Sequence, residues 1–506
     1  MVQSAGLTVL YRRRVSAATG DDIEVYLAER SPALSFLGGH FVFPGGRIDA
    51  GDKDLPARVS AERSPEERKI RSGTLRELFE ETGILVTDPP VAACDQAVVE
   101  AARATRVELL ERGATGEPLR RFLKDHSLEL DLERLRPLTR LVTPRFSRRR
   151  FDSVFHLLEC DQEPEIIRGE LVSGQWLTPA AALSAWRRRD LRIAAPGIAL
   201  LEELAALPLE DAARELGRLS PEFERSGRYV AIAPGYDLVP LETPPLGPNV
   251  PTNTMFVGAD RFIVVDCGAC RQAEKEHLVA ALRRRLATGG TCDAVVLPPH
   301  QPDHVGGLQE VLDAFQLPVW AHSITGELIQ RRLDRTLNDG SLIELGASPD
   351  GRTGWTLQAL FTPGHAAGHI ALFDERYRSL IAGDLVSTLM SMYVGSPGGN
   401  LNDYFSSLKR ALKLDVETLY PSHGMPTLDA KALLRETLEH RYERLEQVAA
   451  ALSSTPCDVA TLAAEIYGGV SRRLSELAIR ATRAALKHLA SLGRAREVET
   501  DSFVVD

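Results

Sequence analysis

Three glutamates in the first quarter of this 506-residue chain have a spacing that permits metal chemistry. Glu77, Glu80 and Glu81 lie at positions i, i+3 and i+4, so if residues 73–82 are helical their carboxylates project from one face. Like charges so placed repel one another. A hard divalent cation such as Mg²⁺ or Mn²⁺ offsets that repulsion while binding substrate phosphates. The alternative is a solvated acidic helix face with Arg76 as its local partner.

A second group of candidate metal ligands lies in the C-terminal half and consists of aspartates and histidines. Asp303 and His304 follow a predicted strand, and His365, Asp384 and His423 each occur at the end of a strand-like segment. Imidazole and carboxylate groups are common protein ligands of zinc and iron. A single histidine is more often a surface or core residue than a ligand, so a metal site here requires these residues to meet.

The elements that would position these residues divide the chain into four segments. Residues 1–205 mix short β-rich runs with helical stretches, and residues 206–230 predict a charged helical linker with breaks. Residues 231–438 alternate apolar strands with helical stretches, which is typical of layered α/β structure. Residues 439–506 predict three helices followed by strand-like alternation. The predicted fold class is therefore α/β and α+β, multidomain.

The composition excludes several classes of protein. Hydrophobic residues make up 44% and charged residues 26%, as in ordinary globular chains rather than disordered or collagen-like ones. The net charge of −10 should repel nucleic-acid backbones, so any RNA contact has to be local. We read no signal peptide and no membrane span, and six scattered cysteines fit a reducing compartment, so we expect a cytoplasmic protein without membrane contact. The single C-x-x-C pair, Cys267 and Cys270, is interpreted as a loop rather than as a metal or redox site.

The glutamates belong to a longer pattern. Residues 76–84 match every fixed position of R-E-U-x-E-E-x-G-U, where U is aliphatic, and Phe-Pro-Gly-Gly lies upstream at residues 43–46. This region resembles the Nudix hydrolases. The resemblance implies an α/β/α sandwich over residues 1–205 that uses Mg²⁺ or Mn²⁺ to activate water against a diphosphate. It also implies that the three glutamates are catalytic metal ligands or water-orienting groups, and that Arg76 holds their helix in place.

The region departs from the usual Nudix box by an insertion, since 23 residues separate Asp52 from Arg76. The branch that resembles coenzyme A diphosphatases has such an insertion. Much of the extended signature of coenzyme A-cleaving enzymes is also present, although Tyr26, Ala28 and Ser35 depart from it. The resemblance implies a nucleotide or coenzyme A-type substrate, with Glu170 as a candidate for a further acid. The candidate substrate-binding residues are Arg30, Gly45, Gly46 and Arg149.

The aspartates and histidines of the C-terminal half resemble the metallo-β-lactamase fold in order and spacing, with Asp266 in its first acidic motif. The resemblance implies an αββα sandwich over residues 231–438 that holds Zn²⁺ or Fe. Where that family has His-x-His-x-Asp-His, residues 299–304 read P-H-Q-P-D-H, so both leading histidines are absent. Of the first metal site only His365 remains. The second site is present in full, with Asp384 placed to bridge: Asp303, His304 and His423.

This departure leaves several interpretations open. One ion held at the second site could still activate water, with Asp303 as a catalytic carboxylate. His300, one residue out of register, is a candidate substitute ligand, although Pro299 and Pro302 stiffen its loop. The alternative is a domain that keeps the fold for binding or dimerisation.

The tail at residues 439–506 resembles the small helical domain appended to lactamase-like proteins of the endoribonuclease and thioester-hydrolase type, and we interpret it as a winged helix. The basic residues between positions 470 and 496 give this tail a positive face. That face fits either an RNA contact or docking on the acidic body or on a partner subunit in an oligomer. The sequence therefore predicts a Nudix diphosphatase fused to a lactamase-like hydrolase. Alternatively, the second domain hydrolyses an ester, thioester or RNA phosphodiester, or only binds. Between residues 470 and 496 the basic residues, against Glu476 alone, are Arg472, Arg473, Arg480, Arg483, Lys487, Arg494 and Arg496.

Overall fold

The structure is a computed structural model that describes residues 2–16, 20–34, 36–60, 62–112, 116–143, 147, 149–219, 229–243, 251–395, 398–468 and 472–505. It contains two compact units, the N-terminal unit Met1–Pro234 and the C-terminal unit Gly235–Asp506. Each unit mixes helices and sheets, which confirms the predicted mixed α and β, multidomain class. No helix within the described ranges is long and apolar enough to cross a membrane.

The N-terminal unit is built on one main sheet. The strands of the whole unit are β1 (Val2–Ser16), β2 (Gly20–Arg30), β3 (Phe41–Val42), β4 (Gly45–Arg47), β5 (Ala57–Arg58), β6 (Thr87–Asp88), β7 (Glu129–Asp131), β8 (Arg136–Val142), β9 (Arg150–Glu159), β10 (Leu171–Leu177) and β11 (Val230–Ala233), of which β5, β7 and β6 form a small separate sheet. Its helices are α1 (Pro65–Thr82), α2 (Gln96–Arg112), α3 (Glu117–Asp125), α4 (Pro179–Arg187), α5 (Ala195–Ala206) and α6 (Leu209–Gly217), with 3-10 turns at Ala50–Asp54, Val91–Ala93 and Leu132–Arg134. The main sheet runs β10-β2-β1-β9-β8, with β3 on β2 and β4 on β1.

Two hydrophobic cores lie on opposite faces of this sheet. Successive side chains of a strand point to opposite faces, and in β1 Val9 joins the core of α4, α5 and α6, whereas Leu10 joins that of α1, α2 and α3. The sheet is therefore covered by helices on both faces. Helix α6, in the predicted linker, packs Ala212 and Leu216 into the first of these cores. Residues 220–228 of that predicted linker lie outside the described residues.

Helix α1 carries the three glutamates. Ser64 caps its N-terminus by accepting a hydrogen bond from the backbone N–H of Glu67, and Pro65 occupies the first helical position, where no N–H is needed. The helix ends at Gly83, whose φ of +74° is a left-handed conformation that favours glycine. Both ends of α1 are therefore specified by residues next to them in the sequence.

A buried histidine in this unit predicts how its stability depends on pH. His156 in β9 is 3% exposed, and its Nδ1 has no hydrogen-bond partner among the described residues. Burial, together with Arg71, lowers the pKa of His156 to about 3, whereas an unfolded histidine titrates near pH 6.5. Between those values the unfolded chain binds a proton that the native unit does not. Stability is therefore expected to fall as the pH falls through this window, by up to about 1.4 kcal/mol per pH unit.

The measurement is urea unfolding of the full chain between about pH 7 and pH 5, followed by hydrogen exchange in peptides from β9. His156→Gln should flatten the dependence of the unfolding free energy on pH. His126→Gln is the matched control, because His126 at the end of α3 is exposed, and it should keep the wild-type slope. An unchanged slope in His156→Gln would show that this histidine does not carry the effect.

The C-terminal unit contains two large sheets and, at its end, helices with a small third sheet. Its strands are β12 (Tyr236–Glu242), β13 (Pro251–Gly258), β14 (Arg261–Val265), β15 (Thr291–Leu297), β16 (Val319–Ala321), β17 (Arg335–Thr336), β18 (Leu342–Gly346), β19 (Trp355–Phe361), β20 (Ile370–Asp374), β21 (Ser379–Gly383), β22 (Thr418–Pro421), β23 (Cys457–Asp458), β24 (Ala495–Glu499) and β25 (Ser502–Val505). Its helices are α7 (Gln272–Ala287), α8 (Pro302–Val305), α9 (Leu308–Phe315), α10 (Ser323–Leu328), α11 (Leu401–Lys413), α12 (Ala430–Ala450), α13 (Val459–Ile466) and α14 (Arg472–Ser491).

The strand order brings several loops to one end of the unit. Strands β12 to β17 follow one another in the first sheet, and β18 to β22 do so in the second. β14 and β15 are parallel neighbours, as are β21 and β22, and the carboxyl ends of parallel strands meet at the same sheet edge. Asn253 in β13 donates from Nδ2 to the carbonyls of Pro421 and Gly424, which ties the first sheet to the end of β22.

The chain ends in α12, α13, α14 and a small sheet of order β23-β25-β24. Apolar residues of these helices join α11 and the second sheet in one core. Arg483 forms two hydrogen bonds to Asp501, and Arg494 forms two to Glu446, so two residues of the predicted positive face have acidic partners. The side chains of Arg472 and Arg473 lie outside the described residues. The winged-helix interpretation stays a prediction.

Candidate functional site

Arg76 organises the carboxylate helix of the N-terminal unit. Its side chain is fully buried, with Nε 2.6 Å from Oδ1 of Asp52. Its Nη1 lies 3.0 Å from Oε1 of Glu77 and 2.8 Å from Oε1 of Glu80, and its Nη2 donates to the carbonyl of Arg47. One planar guanidinium therefore holds α1 against the segment that contains Asp52. Sequence reasoning missed this partner, although the place of Asp52 ahead of the insertion was an available signal.

The three glutamates lie where burial disfavours their charged forms. Burial raises the pKa of Glu77 to about 8 although Arg76 opposes it, and burial also raises the pKa of Glu80. Burial and the neighbouring Glu77 raise the pKa of Glu81 well above its ordinary value, although its Oε2 accepts a 2.6 Å hydrogen bond from the N–H of Gly45. A divalent cation among these oxygens would favour the ionised forms. The donor set therefore fits a hard cation.

The glycine turn comes close to the same helix. A Cβ on Gly46 would lie 2.4 Å from Oε2 of Glu77. Gly45 has a φ of +142°, and a Cβ there would lie 2.2 Å from the carbonyl oxygen of Gly6. Gly45 therefore has to be glycine for the turn to keep its place, whereas a side chain at position 46 would displace the carboxylate of Glu77. Of these two predicted substrate-binding residues, Gly45 thus lets the turn approach β1 closely, and Gly46 leaves space beside Glu77.

The two arginines predicted to bind substrate lie in different surroundings. Arg30 has Nη1 2.7 Å from Oε1 of Glu170, and its buried Nε has no hydrogen-bond partner among the described residues. The charges of Glu170 and Arg30 shift the pKa of Glu81 in opposite directions, so both lie near the glutamates. Arg149 is exposed, and its described contact is with the ring of Phe36, 5.8 Å from the centroid.

In the C-terminal unit, the five predicted ligands come from four segments that each follow a strand. Asp303 and His304 lie in α8, which follows β15. His365 lies in the loop after β19, Asp384 directly follows β21, and His423 follows β22 closely. All five residues occur past the carboxyl ends of strands. The structure brings them together, with Asp384 in contact with all three histidines.

Asp303, His304 and His423 form the tightest part of this cluster. Their ligand atoms all lie within 4.8 Å of one another, and all three residues are buried. Oδ2 of Asp303 lies 3.7 Å from Nε2 of His304 and 3.5 Å from Nε2 of His423. Asp384 lies 3.2 and 3.3 Å from the same two nitrogens. Nε2 of His423 has no hydrogen bond in the described part of the chain, as a nitrogen that binds a metal would not.

Hydrogen bonds behind the cluster turn both Nε2 atoms inward. Nδ1 of His304 lies 3.0 Å from Oδ1 of Asp266, whose Oδ2 accepts a hydrogen bond from the hydroxyl of Ser422. Nδ1 of His423 donates to the carbonyl of Pro251 at 3.0 Å. Because these partners accept, each neutral ring carries its proton on Nδ1 and its lone pair on Nε2. The two rings are therefore oriented as metal ligands.

The electrostatics of the cluster favour positive charge at the same place. Burial lowers the pKa of His304, but Asp266, Asp384 and Asp303 outweigh it and hold the pKa well above its ordinary value. Burial also opposes charge on His423, yet Asp384 and Asp303 raise its pKa to about 10. Three buried carboxylates thus surround two imidazoles. Either protons or a metal ion can supply the missing positive charge, and the two compete for the same lone pairs.

Two further residues at the cluster were not singled out from the sequence as functional. His369 fixes Asp384, because its Nε2 accepts from the Asp384 backbone N–H at 3.0 Å while its Nδ1 lies 2.8 Å from the hydroxyl of Thr362. The signal available in the sequence was that this second histidine follows His365 by four residues. Gln301, considered before only as a missing histidine, has its Nε2 3.1 Å from Nε2 of His365.

Residues 247–423 match the family model of the metallo-beta-lactamase superfamily. This segment is a metallo-beta-lactamase domain. The lactamase-like protein adaB of Aspergillus niger is 32% identical over 203 residues, which are 40% of this chain and 58% of that protein. A hydroxyacylglutathione hydrolase of Bdellovibrio bacteriovorus is 30% identical over 131 residues, 26% of this chain and 48% of that protein. The chain thus spans about half the length of these two relatives.

A solved structure bears on the resemblance of the N-terminal unit to the Nudix hydrolases. A NUDIX hydrolase from Alicyclobacillus acidocaldarius is 27% identical, and the match covers 43% of this chain and 97% of that one with a TM-score of 0.35. The metallo-β-lactamase domain predicted from the sequence is confirmed by the family match. The Nudix assignment of the N-terminal unit stays a prediction.

Proposed function

We propose that the metallo-β-lactamase domain is a metal-dependent hydrolase of ester, thioester or phosphodiester bonds, with its metal held by Asp303, His304 and His423. The observation that carries this proposal is the buried cluster, in which Nε2 of His423 faces carboxylate oxygens and makes no hydrogen bond among the described residues. Imidazole and carboxylate ligands suit Zn²⁺, with iron as the alternative. The superfamily match supports the same chemistry.

The residues of the cluster have separable roles in this proposal. Asp303, His304 and His423 would hold a Zn²⁺ or iron ion, and the chemistry that such an ion would supply is a lowered pKa for water and polarisation of the bond to be cleaved. His304 and His423 present their Nε2 atoms, and the hydrogen bonds on their Nδ1 atoms keep the rings from rotating. Asp384 contacts both rings and balances their charge, and His369 holds the backbone of Asp384. Asp303 is the ligand that we assign as the catalytic carboxylate.

We further propose that the N-terminal unit is a Nudix hydrolase that cleaves the diphosphate of a nucleoside diphosphate derivative. The buried carboxyl groups around Arg76 and the space that Gly46 leaves beside Glu77 support this proposal. Bound Mg²⁺ or Mn²⁺ would neutralise phosphate charge and activate water. Glu77, Glu80 and Glu81 would hold the ion, while Arg76 keeps the first two in place.

Coenzyme A or an acyl-coenzyme A is the substrate that we favour for this unit. Arg30 supports an anionic ligand, because its Nε is buried without a partner in the described structure and a phosphate oxygen would satisfy it. RNA is the less favoured partner, since Arg483 and Arg494 of the tail already bind Asp501 and Glu446. A metallo-β-lactamase domain that only binds a ligand is the remaining alternative.

The test combines metal analysis of the protein purified without added metal with hydrolysis of a small panel of substrates. The panel contains coenzyme A, acyl-coenzyme A, ADP-ribose, a dinucleoside polyphosphate and hydroxyacylglutathione. Tightly held zinc or iron with ester or thioester cleavage supports the first proposal, and Mg²⁺-dependent diphosphate cleavage supports the second. A protein without tight metal that cleaves no ester or thioester would leave the domain a binding role.

A further inference from the structure

His365 is the one histidine that remains of the family's first metal site, and in this structure its ring contacts other groups of the protein. The positions at which the resembling family has its two leading histidines are occupied by Pro299 and Gln301. Proline offers no ligand atom. Gln301 still reaches the cluster, with its amide Nε2 3.1 Å from Nε2 of His365. A second metal ion would therefore have to compete with this contact.

Both ring nitrogens of His365 have polar neighbours, including Nε2, the nitrogen that a metal would need. Its Nδ1 lies 2.6 Å from the carbonyl oxygen of Tyr393 and has to donate, because that oxygen only accepts. In the neutral ring the lone pair is then on Nε2, where the amide Nε2 of Gln301 at 3.1 Å can donate to it, whereas a protonated ring donates to Asp384. Oδ2 of Asp384 lies 3.1 Å from the same nitrogen. His365 is thus surrounded on both ring nitrogens by groups of the protein itself.

We infer that the domain binds one divalent metal ion without His365, and that Gln301 keeps His365 out of the coordination sphere. This inference rests on the proposed metal dependence of the domain. Within the described residues, the set of three ligand atoms that lie within 4.8 Å of one another is Asp303, His304 and His423. Among the residues of the cluster, a second ion would have two ligands, His365 and an oxygen of Asp384 that it shares with the first ion. Zinc sites in proteins use three or four.

His300 does not complete a second site. Its Nδ1 is buried without a hydrogen-bond partner, yet its ring belongs to no set of three close ligand atoms in the described part of the structure. Pro299 precedes it, and Pro302 occupies the first position of α8. Both prolines fix their own φ angles, so the backbone that carries His300 has little freedom to move.

The test is the zinc content of folded, full-length variants after saturation with Zn²⁺ and removal of weakly bound ions. His304→Ala is the reference. Zinc bound to the glutamates of α1 is the same in this variant and in the wild type, so the difference in zinc content between the two counts the ions of this domain alone. We expect that difference to be about one ion per chain. His365→Ala should retain the zinc content of the wild type.

A variant with added ligands tests the role of Gln301. Pro299→His combined with Gln301→His should bind about one more zinc per chain than the wild type, and adding His365→Ala should remove the extra ion. Circular dichroism and melting curves verify folding. If the double variant does not fold, the comparison of the wild type with His304→Ala and His365→Ala still decides.

Four results would overturn the inference. Loss of zinc in His365→Ala would place that histidine in the coordination sphere, and a folded double variant with no extra zinc would remove the role of Gln301. A difference of about two ions between the wild type and His304→Ala would show a second metal while the proposed function stands. No difference at all would overturn the proposed metal site together with the inference.

Discussion

Glu80→Gln and Glu81→Gln should each lower the kcat of diphosphate cleavage by about 100-fold or more, the usual cost of losing a group that activates water. Glutamine keeps the shape of the side chain and removes the charge that a cation needs. Burial raises the pKa of both carboxyl groups, so their neutral isosteres should not destabilise the metal-free protein. Initial rates with Mg²⁺ and melting temperatures with and without Mn²⁺ measure the two effects.

Glu66→Gln on the same helix is the matched control. Glu66 lies in the first turn of α1, its side chain is 65% exposed, and it pairs with Lys69 at 2.9 Å. This change should leave both the rate and the stabilisation by Mn²⁺ as in the wild type. If Glu80→Gln and Glu81→Gln also left the rate unchanged, the Nudix proposal would be abandoned.

His304→Ala and His423→Ala should each abolish tight metal binding by the C-terminal unit. Either change leaves Asp266, Asp303 and Asp384 with less positive charge beside them, and an uncompensated buried charge costs about 3–5 kcal/mol. Zinc should stabilise the wild type by about 2.7 kcal/mol at a free concentration 100-fold above its Kd, and this gain should disappear in both variants. Metal analysis and melting curves with added Zn²⁺ are the measurements.

His440→Ala serves as the control for these two variants. His440 lies in α12 of the same unit and is exposed, with a 3.3 Å contact to the hydroxyl of Ser391. It should retain the metal and the stabilisation by Zn²⁺. A wild-type metal content in both His304→Ala and His423→Ala would move the metal site away from this cluster.

Features that depend on neighbouring residues could be predicted from the sequence. The spacing of Glu77, Glu80 and Glu81 placed them on one helix, because the period of a helix belongs to the backbone itself. Ser64 and Gly83 end that helix through local hydrogen bonds and local φ preference. The metallo-β-lactamase domain was predicted from a resemblance, because its aspartates and histidines match that family in order and spacing.

Contacts between distant segments were beyond such reasoning. Arg76 meets Asp52 across 24 residues, and Gln301 meets His365 across 64. Each contact depends on how an inserted segment or a loop packs against the rest of its unit. The raised pKa of Glu77 arises from burial, which is also set by the surrounding elements rather than by the helix that carries it.

The sequence by itself determined which chemical groups are available and in what order: a glutamate helix, and aspartates and histidines with two of the leading histidines replaced. Only the tertiary structure decided that Gln301 meets Nε2 of His365 while the carbonyl of Tyr393 accepts a hydrogen bond from its Nδ1. A hydrogen bond needs two groups within about 3 Å and in the right orientation. No local propensity specifies that geometry between separate loops, because the packing of the two sheets sets it.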